Sequence, residues 1–435
     1  MENLEVVLND LEKSGSNTED LKKLGETLKN DLSKGKDIDT IMHELITNIR
    51  QETENFFRGT NQYDVNYMTG FTSGIYLPSF DGSGEIKLVL YGGDSSRENN
   101  SFKIDSKTMF DVASITKLFT LVLTFKLSEE GIINLNDKIA DLNPDFKGLE
   151  DFTFTDLIRM HGDIYTDGNV AKAANEYEAY QILKTAYLKD NTRDKNKYTD
   201  FGAIIIGKTL EKIMSEKMNK EVTLNDLMNE YIYKPAQLTN TSFNPSTTNI
   251  SGNGGYDNLV HDPKSRILGG MVGSAGIFTT SEDLNKLSKS LYSVNYYNKG
   301  LISKLYLDKL GEVTFPDAAQ SNKGNLGVYV KHPAGYAKTY TPNVFSTGSF
   351  AHQGWTGSVA IFDPNNNIHF NFLTNSILKT DQEGWVRNDK PAGFGSAWDS
   401  YEENIINNVM LMMIAKKYFN MLNKDIEIDN EIKVR

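Results

Sequence analysis

Cysteine is absent from the 435-residue chain, which removes disulfides, thiolate nucleophiles and cysteine-built zinc or iron–sulfur sites together. Its absence assigns no compartment, because cysteine-free chains occur on both sides of a membrane. Positive charge is also short: 46 Lys and Arg stand against 58 Asp and Glu, a formal net charge of −12. Such an excess repels a phosphate backbone, and no local basic patch offsets it, so nucleic acid is not expected as a partner. No apolar run approaches the ~18–20 residues of a membrane helix. The N-terminus carries Glu2, Glu5, Asp10 and Glu12 among its leucines and valines, without the basic start and unbroken apolar stretch of a signal peptide. As written, the chain reads as soluble and cytoplasmic, with no membrane span; a leader removed upstream would make it secreted or cell-surface. The Gly-x-Ser-x-Gly elbow of α/β-hydrolases is missing. The six histidines, at 43, 161, 261, 332, 352 and 369, form no His-Glu-x-x-His, so neither metal nor cofactor is expected.

What is present suits a globular protein: 39% hydrophobic and 24% charged residues, in a chain long enough for one large or two ordinary domains. Ser16-x-x-Glu19 resembles a capping box, and Leu21, Leu24, Leu28 and Leu32 follow at helical spacing until Gly35, predicting a docked helical segment over 1–36. A second helix is predicted from Thr40 to Phe57. The pattern then turns to strands. Ser73 to Pro78 and Ile86 to Gly92 flank the turn-forming Asp81-Gly-Ser-Gly and read as a hairpin. The centre, about 108–290, is mostly helical with polar loops. Strand signals return at Gly327-Val-Tyr-Val, Ser358 to Phe362 and Ile368 to Thr374, and a last helix runs from Tyr401 to Leu422. Its Met410-Leu-Met-Met-Ile cluster is expected to pack on the sheet. The order helix, strands, helices, strands, helix predicts an antiparallel sheet built from both chain ends, with a helical region inserted.

Chemistry concentrates at Phe110-Asp-Val-Ala-Ser114-Ile-Thr-Lys117, where a loop enters a long apolar helix. Residues three apart share a helix face. Ser114 and Lys117 therefore point together from a first turn whose free N–H groups and dipole favour an oxyanion. A serine hydroxyl needs a neighbour to accept its proton; an amine can do so if its surroundings lower its pKa from about 10.4. Downstream, Tyr198-Thr-Asp200-Phe-Gly precedes a helical run. A phenol near an ammonium can exchange protons with a serine or a leaving group. Then Ala351-His352-Gln-Gly354-Trp355-Thr-Gly357 leads into an apolar strand, and a glycine-bearing strand lets a substrate backbone approach.

Ser-x-x-Lys, a Tyr-x-Asn-like element and a Lys-Thr-Gly-like element in that order resemble the penicillin-recognising serine enzymes, most closely the class C β-lactamase branch with its D-alanyl-D-alanine peptidases and esterases. Gly131 to Ile139, Tyr233 to Phe243, Val260-His-Asp-Pro through Gly269 to Thr280, Phe362-Asp-Pro and Phe372 to Asn375 are similar too, so the likeness spans about residues 60–420. The resemblance implies Ser114 as acylated nucleophile, Lys117 as its proton partner and Tyr198 as general base or acid. It also implies an oxyanion hole from the Ser114 and Trp355 N–H groups, with Asp200, His352 and Gly354 lining the substrate side. Three departures favour peptidase- or esterase-like work over antibiotic hydrolysis. Asp200 stands where lactamases carry Asn, His352 stands where Lys is usual, and Met160-His-Gly-Asp163 replaces His-Thr-Ser-Gly.

Gly202-Ala-Ile-Ile-Ile-Gly207-Lys208-Thr209 matches the phosphate-loop pattern. It follows polar Asn191–Lys197 instead of an apolar strand, and its isoleucines suit a packed helix. His261 and His369 read as structural. The expected fold is α/β (α+β): a β-lactamase-like sandwich with an antiparallel sheet flanked by terminal helices, plus an all-helical subdomain. Residues 1–36 form an extension and 37–425 the hydrolase domain, with the helical subdomain (about 108–290) inserted in it. The expected partner is a small-molecule or peptide acyl donor; oligomeric state is left open. The alternative is a catalytically inactive β-lactamase-like sensor or binding module.

Overall fold

The computed structural model describes residues 2–61, 68–79, 84–96, 101–190, 192–193, 195–251, 260–315, 323–331, 344–380, 384–387, 394–422 and 426–434. Three helices open the chain: α1 (Glu2–Lys13), α2 (Thr18–Ser33) and α3 (Ile38–Asn61). Leu4, Val7 and Leu11 of α1, Leu21, Leu24 and Leu28 of α2, and Ile41, Leu45 and Ile49 of α3 are all buried in one apolar cluster. Their three-and-four spacing lays each set along one helix face. The cap of α2 is Asn17, one residue later than the Ser16 of the expected capping box. Its side chain accepts from the Asp20 N–H at 3.0 Å, the reach an asparagine makes well at this position, whereas Ser16 is buried. The turn between α1 and α2 is tied to the body, since Thr347 N–H donates to Ser14 O at 3.0 Å and Lys331 Nζ to Gly15 O at 3.0 Å.

The sheet combines β1 (Gly70–Leu77), β2 (Ile86–Gly93), β3 (Val313–Phe315), β4 (Lys323–Gly324), β5 (Tyr329–Val330), β6 (Phe350–Gln353), β7 (Val359–Asp363), β8 (Ile368–Thr374) and β9 (Ile428–Lys433), in the order β9-β2-β1-β8-β7-β6-β5-β4-β3. Every pairing is antiparallel except β9 on β2. β1 joins the two ends of the chain: it pairs β2 on one side and β8 on the other, with Phe71 opposite Thr374 and Tyr76 opposite His369. Of the Asp81-Gly-Ser-Gly turn of that hairpin, only Gly84 lies within the described residues.

Alternation along the strands serves two cores. Ile368, Phe370 and Phe372 of β8 and Val359 and Ile361 of β7 join the cluster with α1–α3 and the last helix, α7 (Phe394–Asn420), where Met410, Met412 and Met413 are buried. Leu373, Ala360 and Phe362 face the opposite cluster. There lie α4 (Thr116–Glu129), α5 (Phe201–Met218) and α6 (Ser281–Tyr297). Leu118, Phe119, Leu121, Val122 and Phe125 of α4 are at most 1% exposed, as expected of a helix apolar all round. The phosphate-loop lookalike lies inside α5, and its Ile204, Ile205 and Ile206 are fully buried, so it is a packed helix and not a loop that circles a phosphate.

Two expectations need correction. The central region is not all-helical: Met109–Asp111 pairs with Ile250–Ser251 and Phe278–Thr279 in a small sheet, and Ile164–Tyr165 pairs with Tyr187–Leu188. Strands of two or three residues are too short for a period-two signal. The sheet also continues past residue 425 into β9, whose exposed Asp429, Asn430 and Glu431 conceal it from apolar patterning. No helix of the described residues is long and apolar enough to cross a membrane.

The shared core makes a stability prediction. Leu11→Ala, at a site 1% exposed, should cost about 2–5 kcal/mol in urea unfolding, and Val6→Ala, 46% exposed, about 0.5 kcal/mol or less. A separate early transition for Leu11→Ala would show that α1 does not share the core.

Candidate active site

Ser114 lies in a single 3-10 turn, Ala113–Ile115, that runs straight into α4. The turn is bent by Ala113, at φ +45, a backbone region that side chains other than glycine enter rarely. Asp111 holds the bend. One carboxylate oxygen accepts the Ala113 N–H at 2.8 Å; the other accepts the His261 N–H at 2.7 Å and faces its Nδ1 at 2.8 Å. Asp111 and His261 are 1% exposed, so a strained turn is braced by a buried pair. Ser114 itself is partly exposed.

One helical turn on, Lys117 is fully buried. Its ammonium donates to Ser114 Oγ at 3.0 Å, to Asp200 Oδ1 at 2.8 Å and to Ser274 O at 3.0 Å. The Tyr198 side chain is a further partner of the same ammonium. Burial alone would lower the Lys117 pKa, but the Asp200 carboxylate, with help from Tyr198, holds it above the ordinary lysine value. Burial likewise pushes Asp200 up, and Lys117 and Lys264 together hold it well below the usual carboxylate range. Lys264 Nζ reaches Asp200 Oδ2 at 2.7 Å.

Tyr198 stands over the same ammonium, its ring centroid 5.1 Å from Lys117 Nζ. The loop Met160-His-Gly-Asp163 sets it there: Lys197 N–H donates to Met160 O at 3.2 Å, Gly162 N–H to Lys195 O at 2.7 Å, and Lys197 pairs with Asp163 at 2.6 Å. The ring also lies against Gly327, where an added Cβ would lie 2.4 Å from Tyr198 Cε2.

The third element follows β6. Gly354 lies so close to the segment before Ser114 that a Cβ would sit 2.4 Å from Val112 O. Thr356 Oγ1 donates to Asp111 O at 2.9 Å. The turn 354–357 is thereby fastened to the residues just before Ser114, with Trp355 partly exposed between them. Among the described residues, no acceptor takes the Trp355 N–H. His352 points elsewhere: it is buried, with Nδ1 2.8 Å from Gln353 O and Nε2 3.2 Å from Leu326 O. Burial and the nearby Lys117 charge lower its pKa to about 4. A neutral imidazole donates from one ring nitrogen only; in the Nε2–H tautomer the bond to Leu326 O ties β6 to the segment bearing Gly327, hence to Tyr198.

The structure thus gathers Ser114, Lys117, Tyr198 and Asp200 around one ammonium and brings Gly354 and Trp355 alongside. His352 stands behind them. Sequence reasoning did not single out Ser274, Lys264 or the brace Asp111–His261. Ser274 and Lys264 fall within the stretch Val260 to Thr280, noted for likeness, Asp111 within the quoted Phe110–Lys117 motif, and His261 reads in the sequence as structural.

A family model described as Beta-lactamase matches residues 82–390. The chain belongs to the beta-lactamase family. Within that family it is similar to a putative D-alanyl-D-alanine carboxypeptidase of Escherichia coli (strain K12), 25% identical over 321 residues, covering 63% of this chain and 70% of that protein. It is also similar to an N-acetylmuramyl-L-alanine amidase of Bacillus subtilis (strain 168), 24% identical over 352 residues, covering 70% and 77%. Among solved structures, a class C beta-lactamase in complex with cefoxitin superposes with a TM-score of 0.60 at 13% identity, over 84% of this chain and 99% of that one. The beta-lactamase fold, with helices on both faces of a mostly antiparallel sheet, is the one described above.

Two outcomes follow from this geometry. Asp111→Ala strips partners from two buried N–H groups and the His261 ring, and should cost about 2–5 kcal/mol in urea unfolding. His352 and the equally buried His369, lowered by burial to about 3, stay neutral in the fold below the ordinary value of 6.5. The unfolded chain takes up those protons and the fold refuses them, so stability is present above pH 6.5 and is lost as pH falls toward about 4. His352→Asn should flatten the urea midpoint over that window; an unchanged slope would mean that the histidine charges inside the fold.

Proposed function

We propose that the chain is a serine hydrolase acting through a covalent acyl-enzyme at Ser114, on amide or ester donors of peptidase or esterase type. The observation that carries this is the contact of Lys117 with Ser114 Oγ at 3.0 Å under the Tyr198 ring. A hydroxyl, a buried cation and a phenol meet there at a partly exposed serine. The curated relatives, named for a D-alanyl-D-alanine carboxypeptidase and an N-acetylmuramyl-L-alanine amidase, support an amide donor.

Because the Asp200 carboxylate keeps the buried amine charged, Lys117 serves as a fixed cation. In this step the deprotonated form of Tyr198 takes the Ser114 proton while Oγ bonds to the carbonyl carbon. The carbonyl electron pair moves onto oxygen, where the Ser114 and Trp355 N–H groups would receive it. Tyr198 then returns the proton to the leaving nitrogen or oxygen as its bond to carbon breaks. Water repeats the cycle on the acyl-enzyme: it gives Tyr198 a proton, adds to the carbon and frees the acid, and Tyr198 reprotonates Oγ. His352, held between two carbonyls, acts as a positioning residue for β6 and Gly327. No step calls for a cofactor.

Ser114→Ala should cut turnover of p-nitrophenyl esters, D-Ala-D-Ala peptides or a chromogenic cephalosporin by roughly a thousandfold or more. Intact-mass detection of an adduct on the parent chain but not on the variant completes the test. A variant that keeps most of its rate overturns the nucleophile. A parent chain that is never acylated by any of the panel favours the binding-module alternative.

A further inference from the structure

The short helix Pro263–Ile267 contributes nothing to the serine, lysine and tyrosine set, yet its Lys264 reaches the centre of it. Asp200 carries two ammoniums, Lys117 on Oδ1 at 2.8 Å and Lys264 on Oδ2 at 2.7 Å. Both of its oxygens are engaged, so the carboxylate cannot turn about its last bond without breaking an ion pair. The Lys264 side chain is 28% exposed, which leaves this pair only partly screened. Asp262, the cap of the same helix, accepts the Ser265 N–H at 2.7 Å. Its carboxyl is pushed up by burial and by the charge of Asp200. With Tyr198 and His352, these are the titratable and charged groups around Lys117.

With Lys117 alone beside it, the Asp200 carboxylate would be a mostly buried negative charge answered by a cation that must also serve Ser114. A second lysine at 2.7 Å restores the balance. We propose that Lys264 is a positioning residue for the Ser114 chemistry, acting through Asp200: it locks the carboxylate that holds Lys117 and takes up part of its charge. The inference rests on the acyl-enzyme reading, deepens it, and makes Asp200 and Lys264 one functional unit.

The test follows the rate at which a fluorophosphonate labels Ser114, read by intact mass from about pH 6 to about pH 11. The proteins are the full chain and its Lys264→Met, Lys264→Arg, Asp200→Asn and Asp200→Asn/Lys264→Met variants. Lys264→Met should slow labelling roughly tenfold, and Lys264→Arg, which keeps the ion pair, no more than about threefold. With Asp200 already Asn, removing Lys264 should cost nothing. The alkaline limb supplies a readout that folding alone would not move. Asp200 raises the Lys117 pKa, so Asp200→Asn should bring that limb down into the measured range, with burial and the facing Lys264 ammonium both pressing Lys117 to lose its proton. Adding Lys264→Met should move the limb back up.

Equal slowing by Lys264→Met in both backgrounds overturns the proposal, as does an alkaline limb that ignores Lys264. Should Asp200→Asn fail to fold, the Arg and Met variants of Lys264 decide: equal loss in both overturns the proposal, and retention in Arg alone supports it. A parent chain labelled at Ser114 with Lys264→Met at full rate sinks the Lys264 inference alone. A parent chain that takes no label, like Ser114→Ala, removes the acyl-enzyme and this inference with it.

Discussion

A single buried ammonium organises the site. Lys117 has no contact with water, and an uncompensated cation in that position would be very costly. Its three acceptors come from three parts of the chain: Ser114 from its own turn, Asp200 from the start of α5 and Ser274 from the loop ahead of α6. Any displacement of one of these segments breaks a charged hydrogen bond in a dry place. The cation therefore does for the helical region what a structural metal does elsewhere, fixing three segments around one point.

That constraint explains why the close approaches cluster where they do. Asp111 braces the Ala113 bend from below, the turn 354–357 presses on Val112, and Gly327 leaves room for the Tyr198 ring. Each contact limits how far Ser114 Oγ can drift from the Lys117 ammonium. The sheet supplies the rigid side, because β6 is hydrogen-bonded to strands on both edges. The helices supply the charged side. Ser114 stands at the seam between them.

Much of this was legible in residues with strong local signals. The β1–β2 hairpin, β7, β8 and α7 announce themselves through apolar patterning, and Ser114, Lys117, Tyr198 and Gly354 through motif spacing. Lys264 and Ser274 were not legible, for a physical reason. One acts through an ion pair to a residue far away in sequence, the other through a backbone oxygen that any side chain would present. Asp200 shows the middle case: its identity was visible and its grip on Lys117 could be anticipated, but the second lysine that shares it could not. The Asn17 cap and the strand β9 were missed because a one-residue offset and a charged edge strand leave little trace in patterning.

The placement of β1 carries a consequence for synthesis. Its partner on one side, β2, follows at once, but its partner on the other, β8, emerges only after nearly three hundred further residues, and β9 later still. Closing loops of that length is slow, and the waiting strand edge is exposed meanwhile. On the ribosome, the serine, the lysine and the tyrosine will all have been made long before the turn at 354–357 exists to meet them. The nascent chain thus carries Ser114, Lys117 and Tyr198 while still lacking the wall that faces them, and the cluster closes only once the turn at 354–357 has followed.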